Sequence, residues 1–208
     1  MESPGVFRLK RIRHIASIIG WAGLVSFFSL LAAWCAIYLV ITNQAALAIQ
    51  FAVAAFLLDA TDGFIARKLG KDSNFGRQLD GMIDAINYSL LAALVTALVL
   101  IPGWLGFAVG FLILAFGILR LVLFNIDGYL EQGDVRYYTG VVTPHLSLAC
   151  VLIYFVEHFV ALPSWLIAAV LVALALGQIS TLKVRKTGVL LFWIPASIAI
   201  AVGAFFWL

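Results

Sequence analysis

Four aspartates, Asp59, Asp62, Asp80 and Asp84, are the side chains of this sequence best placed to do chemistry. They lie in one stretch, L-D-A-T-D-G-F-I-A-R-K-L-G-K-D-S-N-F-G-R-Q-L-D-G-M-I-D, with apolar sequence on either side. Written on helices, Asp59 and Asp62 are three apart and share a face with Gly63 and Ala66. Asp80 and Asp84 are four apart, and Gly76 extends their stripe. The connection, about Lys68 to Ser73, is short enough to make the two helices antiparallel neighbours, with Asp72, Ser73 or Asn74 as the cap of the second. At the helical rise, Asp62 lies about 7 Å and Asp59 about 12 Å from Arg67. Asp80 and Asp84 lie about 6 Å and about 12 Å beyond Gly76, so the two stripes meet at matching depths.

Converging carboxylates need a counter-charge. Two unit charges about 4 Å apart repel by roughly 4 kcal/mol at an effective dielectric near 20. Protonation is one escape and a divalent cation the other, for which hard oxygen ligands select Mg²⁺, Mn²⁺ or Ca²⁺. Four Asp on two facing helices suffice for two ions sharing bridging carboxylates, an arrangement suited to phosphoryl transfer. The plainer alternative is a buried acid–base network with Arg67 and Arg77, but four acids outnumber two bases that can snorkel to water. Gly63, Ala66 and Gly76 remove bulk where a nucleotide can approach, and Arg67 is suited to a phosphate oxygen. Singly, each small residue reads equally as helix packing.

The elements that must carry this block are membrane helices. The 208 residues are 64% hydrophobic and only 11% charged, too little polar surface to coat a water-soluble globule. That excludes a soluble enzyme, a disordered chain and a DNA-binding module, and no nucleic-acid partner is expected. Apolar runs at roughly 16–41, 45–66, 77–101, 104–124, 139–161, 164–182 and 188–208 give an all-α, polytopic bundle of about six to seven spans in a single membrane domain, 1–208. The first run lacks a small-residue cleavage site and another span follows it directly, so it is not read as a signal peptide. With seven spans, all thirteen Lys and Arg fall on one side: Arg8 to Arg13, Arg67 to Arg77, Arg120 with Arg136, and Lys183 to Lys186. The positive-inside rule makes that side, the N-terminus and the aspartates cytoplasmic. Residues 1–15 form a basic juxtamembrane segment, either an interfacial amphipathic helix or a topogenic flank. Cys35 and Cys150 lie in apolar runs and read as packing residues.

The spacing Asp59-x-x-Asp62-Gly63-x-x-Ala66-Arg67, eight residues, Gly76-x-x-x-Asp80-x-x-x-Asp84 resembles the signature of the CDP-alcohol phosphotransferases (CDP-alcohol phosphatidyltransferases), with every fixed position present. The resemblance implies transfer of a phosphatidyl or related substituted phosphate group from a CDP-alcohol such as CDP-diacylglycerol to an acceptor hydroxyl, with release of CMP. It implies that the hairpin 59–84 is catalytic, in an integral protein of the cell (inner) membrane. Asp59, Asp62, Asp80 and Asp84 would hold two divalent cations, Mg²⁺ or Mn²⁺, with Asp84 also taking the acceptor's proton. Asp62, Gly63, Ala66, Arg67 and Gly76 would line the CDP pocket. Members of this family are commonly homodimers.

Beyond the hairpin, Arg120-Leu-Val-Leu-Phe-Asn125 and Tyr138-Thr-Gly140-Val-Val-Thr-Pro144 are similar to segments of the phosphatidylserine synthases. L-serine is the acceptor this implies, with Arg120 and Asn125 binding it; inositol phosphate and glycerol phosphate are the alternatives. Arg120 reads equally as a base snorkelling at a helix end. One departure stands out. Phosphatidylserine synthases tend to follow the last aspartate with Ser-Phe-Gly and a proline, whereas this chain reads Asp84-Ala-Ile-Asn87-Tyr88-Ser89-Leu90. His145 can reach the site or satisfy the core. Asp127, Glu131, Asp134 and Arg136 read as a solvated loop. Two rival classes, an intramembrane prenyltransferase and an ion-coupled transporter, also use membrane carboxylates. The first places its acidic motifs on separate helices, and the second favours midplane sites in repeated halves.

Overall fold

The computed structural model describes residues 4–68, 74–132 and 135–185, with side chains described for 23–61, 75–130 and 137–184. Helix α1 (Pro4–Ile41) is followed by α2 (Ala45–Lys68). A third rod runs through α3 (Asn74–Asp84), the π-helical turn π1 (Ala85–Leu90), α4 (Leu91–Val95) and a second π-helical turn, π2 (Thr96–Leu100). Then come α5 (Trp104–Asp127), α6 (Thr143–Phe159) and α7 (Ser164–Gln178). Every span expected before residue 182 therefore has its helix, and the expected span 188–208 lies outside the described residues. Gly23–Ile41, Phe75–Leu100 and Trp104–Asp127 are long and apolar enough to cross a membrane, and Ala45–Thr61 and Ser164–Gln178 are shorter apolar helices. The basic segment from Pro4 is helical and continues into α1 without a break, so it is not an element of its own.

The chain is apolar outside as well as inside. Phe28, Trp34, Tyr38, Phe107 and Phe111 are exposed on helix faces, a distribution suited to lipid rather than water. Small residues line several of the contacts between helices. Ala32, Ala33 and Ala36 of α1 are buried, as are Ala48 and Ala55 of α2, which lets the two backbones approach. On α5, a Cβ at Gly110 would come within 2.8 Å of the Ala93 carbonyl, so glycine is what allows α5 to close on the third rod. Ile113, Leu171 and Ala175 are fully buried where α5 meets α7.

The turn between α1 and α2 is short because it caps itself. Asn43 adopts φ 59°, its amide donates to the Val40 carbonyl, and the Gln44 amide donates to the Leu39 carbonyl at 2.8 Å. This is a Schellman closure with Asn as the left-handed residue.

The all-α reading needs one addition. Leu130–Gln132 (β1), Val135–Thr139 (β2) and Lys183–Arg185 (β3) form an antiparallel sheet in the order β1-β2-β3. What reads as a solvated loop in sequence is thus a hairpin that ties the α5–α6 connection to the segment after α7. It also moves the start of the helix expected at 139–161 to Thr143, because Tyr137 to Thr139 pair with β3. Gly140 makes the corner at φ 74°, against the Gln178 carbonyl, where a Cβ would collide. No L side chain is comfortable there.

Candidate metal and acceptor site

The acidic stripes converge. Asp59 from α2 and Asp80 and Asp84 from α3 each offer a carboxylate oxygen, and those oxygens lie within 4.8 Å of one another. Asp59 and Asp84 are half-buried and Asp80 is exposed, so the cluster opens at one side. Three hard anionic donors at this separation can hold a divalent cation. Gly76 is exposed in the first turn of α3. Asp62, Gly63, Ala66 and Arg67 continue α2 past Asp59, and their side chains lie outside the described residues.

Immediately after Asp84 the helix widens into π1, and three consecutive polar residues, Asn87, Tyr88 and Ser89, are all buried. Successive helical side chains turn by about 100°, so burying three neighbours in a row requires packing partners on several sides of the rod. Here each faces a different helix. Asn87 Nδ2 donates to Ser29 Oγ on α1 at 2.7 Å. The Tyr88 hydroxyl donates to Asp59 Oδ2 on α2 at 2.6 Å. Ser89 Oγ lies against Gly117 on α5, where a Cβ would overlap it. Sequence reasoning noticed this run only as a departure. The available signal was its polarity within an otherwise apolar helix.

Arg120 does not snorkel. It is 5% exposed, with its guanidinium carbon 5.1 Å from the Phe124 ring centre and 5.8 Å from that of Tyr138. Those faces stabilise the cation, and Asp84 attracts it electrostatically. Its Nε and Nη2 have no hydrogen-bond partner among the described residues. Ser89 Oγ and Gln178 Oε1 are likewise buried without a partner among those residues, and both border Gly117, one turn from Arg120. Buried polar groups without partners are costly, so this region is built to meet a polar group. Asn125 is exposed at the end of α5, its Nδ2 3.2 Å from where a Cβ on Gly81 would stand. That places Asn125 beside the Asp80–Asp84 stripe. His145 is half-buried at the start of α6. Of the expected acceptor residues, Arg120 is therefore set inward within electrostatic reach of Asp84, and Asn125 lies next to α3; Gln178 was not anticipated.

Residues 16–179 match the family described as CDP-alcohol phosphatidyltransferase. Among curated proteins, the chain is 31% identical over 121 residues to a CDP-diacylglycerol--serine O-phosphatidyltransferase of Helicobacter pylori (56% of this chain, 50% of that protein). It is 30% identical over 120 residues to the protein of that name from Mycobacterium tuberculosis (56% and 42%). It is 26% identical over 174 residues to an archaetidylserine synthase of Methanothermobacter thermautotrophicus (82% and 72%). The chain spans about half the length of the first of these relatives and 42% of the second.

Proposed function

The chain belongs to the CDP-alcohol phosphatidyltransferase family, and on that premise we propose that it transfers the phosphatidyl group of CDP-diacylglycerol to the hydroxyl of L-serine, releasing CMP. The observation that carries this reading is the meeting of Asp59, Asp80 and Asp84 within 4.8 Å, on the motif spacing that the family signature requires. Two divalent cations, Mg²⁺ or Mn²⁺, held by these three and Asp62, would neutralise the diphosphate and make CMP a better leaving group. The acceptor oxygen forms a bond to the lipid-bearing phosphorus, the bridging P–O bond to CMP breaks, and Asp84 takes the hydroxyl proton. Gly63, Ala66, Arg67 and Gly76 line the approach of the CDP moiety.

Serine is favoured on two grounds. Bacterial relatives named for diacylglycerol and an archaeal one named archaetidylserine synthase share serine in their names. In this chain, Arg120 carries buried N–H donors within electrostatic reach of Asp84, so a guanidinium there can grip an acceptor carboxylate while the carboxylate of Asp84 meets the hydroxyl. The Gln178 carbonyl oxygen is suited to an ammonium group. Asn125 completes the acceptor side from the rim.

The site belongs at the cytoplasmic face of the inner membrane. All the Lys and Arg lie at its end of the bundle in the expected topology. Trp104, Trp165 and Phe159, exposed at 85%, 67% and 65%, sit at helix ends remote from the aspartates, as an interfacial belt would. Kinship is the ground for expecting a homodimer. The deciding experiment measures CMP release by detergent-purified protein from CDP-diacylglycerol, with Mn²⁺ or Mg²⁺ and with chelator, offering L-serine, inositol phosphate and glycerol phosphate in turn. Serine-dependent, chelator-sensitive release is expected. Release with inositol phosphate alone would reassign the acceptor, and chelator-resistant turnover would reject the metal chemistry.

A further inference from the structure

We infer that Tyr88 is a positioning residue for Asp59, holding that carboxylate in the orientation in which it receives a divalent cation. The inference rests on the metal reading above and extends it to a side chain that the motif does not contain. Tyr88 is 3% exposed, yet its hydroxyl is not idle: it donates to Asp59 Oδ2 at 2.6 Å. That length is in the range of charge-assisted O–H···O⁻ bonds. The ring is held in turn. It meets Phe56 edge-on, with centroids 6.2 Å apart and planes at 73°, and packs in a small cluster with Phe56 and Leu148. Phe56 and Asp59 lie three apart on α2, so a single helix face receives both the ring and the hydroxyl.

The chemistry of the donor is informative. A Lys or Arg at this position would cancel the Asp59 charge and compete with a cation. A phenol donates one hydrogen bond and leaves the carboxylate anionic. It engages Oδ2, so the carboxylate cannot rotate about its terminal torsion without breaking that bond, and the other oxygen is directed by the same constraint. Partners of this kind fix ligand orientation at metal sites. The π1 turn supplies the geometry. Tyr88 follows Asp84 by four residues, and helical side chains lean toward the N-terminus, so the phenol reaches back to the level of the carboxylates.

The test is Mn²⁺ binding to the detergent-purified full chain, followed by electron paramagnetic resonance without substrate, alongside CMP release as a function of Mn²⁺. Tyr88→Phe keeps the ring and loses only the hydroxyl; its Mn²⁺ dissociation constant should rise about 10- to 100-fold. Its turnover should recover at saturating Mn²⁺, which a general packing defect would not allow. Tyr88→Leu, which also lacks the hydroxyl, should share the metal defect whatever its melting temperature. Mn²⁺ affinity in Tyr88→Phe within about twofold of the parent would overturn the role of Tyr88 while leaving the metal reading intact. If the parent itself binds no Mn²⁺ that Asp80→Asn removes, the metal reading fails first and the role of Tyr88 with it.

Discussion

Asn87 and Ser29, 58 positions apart in the chain, share a buried hydrogen bond, and Ser29 passes it on: Asn87 Nδ2 donates to Ser29 Oγ at 2.7 Å, and Ser29 Oγ donates to the Ala55 carbonyl at 2.9 Å. The relay joins π1, α1 and α2 one residue away from the phenol that contacts Asp59. Ser29 is fully buried, so Ser29→Ala leaves the Asn87 amide without its acceptor. The expected cost is about 1–3 kcal/mol. Thermal or denaturant unfolding in detergent measures it. An unchanged transition would show that the relay contributes nothing to the packing of these helices.

Asp80→Asn and Asp84→Asn each remove a charge from the cluster. Stabilisation by metal at developing charge is worth several kcal/mol, so turnover should fall by roughly a thousandfold or more. Chelation should do the same to the parent protein, with recovery on adding Mn²⁺ or Mg²⁺. CMP release assays give both readings, and substantial activity in Asp80→Asn would reject the ion site.

Arg120→Gln should raise the KM for the acceptor by at least about tenfold and leave that for the CDP-lipid much less changed, as expected for loss of a charge-assisted pair. Arg120→Lys should not restore it, because a lysine offers neither the fork nor the planar face that lies over Phe124 and Tyr138. Equal effects on both KM values would place Arg120 outside the acceptor subsite.

Gly117→Ala puts a methyl group on Ser89 Oγ and within 2.8 Å of Ser89 Cβ. Overpacking of this kind costs typically about 1–3 kcal/mol. Ser89→Gly in the same chain should return most of the loss, and a double-mutant cycle on unfolding reads the coupling directly. Strictly additive effects would mean that α5 and π1 do not press on each other there.

Much of this was legible from residue type and spacing. The apolar runs fixed the helices because continuous stretches of about twenty apolar residues satisfy their backbone polar groups in lipid as helices, whereas a closed barrel needs short alternating segments. The aspartates revealed themselves because their intervals of three and four match the helical turn, and Asp59, Asp80 and Asp84 do meet. The inward setting of Arg120 was not decidable, since a basic residue near a helix end satisfies a burial and a snorkelling reading equally. The β1-β2-β3 sheet was hidden for a different reason. Its strands are three to five residues long, and β3 is remote from the other two in sequence. The contribution of Tyr88 was hidden by π1, which no periodicity announces.

That widened turn has a consequence for anyone aligning or editing this chain. A π turn closes its hydrogen bonds one residue later than an α turn. Residues beyond Leu90 are therefore out of phase, by roughly 100°, with a wheel drawn from Asn74. Deleting one residue between Ala85 and Leu90 would let the segment close as an ordinary α turn and keep Leu91, Ala92 and Val95 facing the interior they now fill, whereas the same deletion within α3 would rotate everything beyond it by roughly 100°. The segment absorbs one extra residue between an aspartate-bearing half and an apolar half, so a gap placed there by an alignment leaves both halves in register.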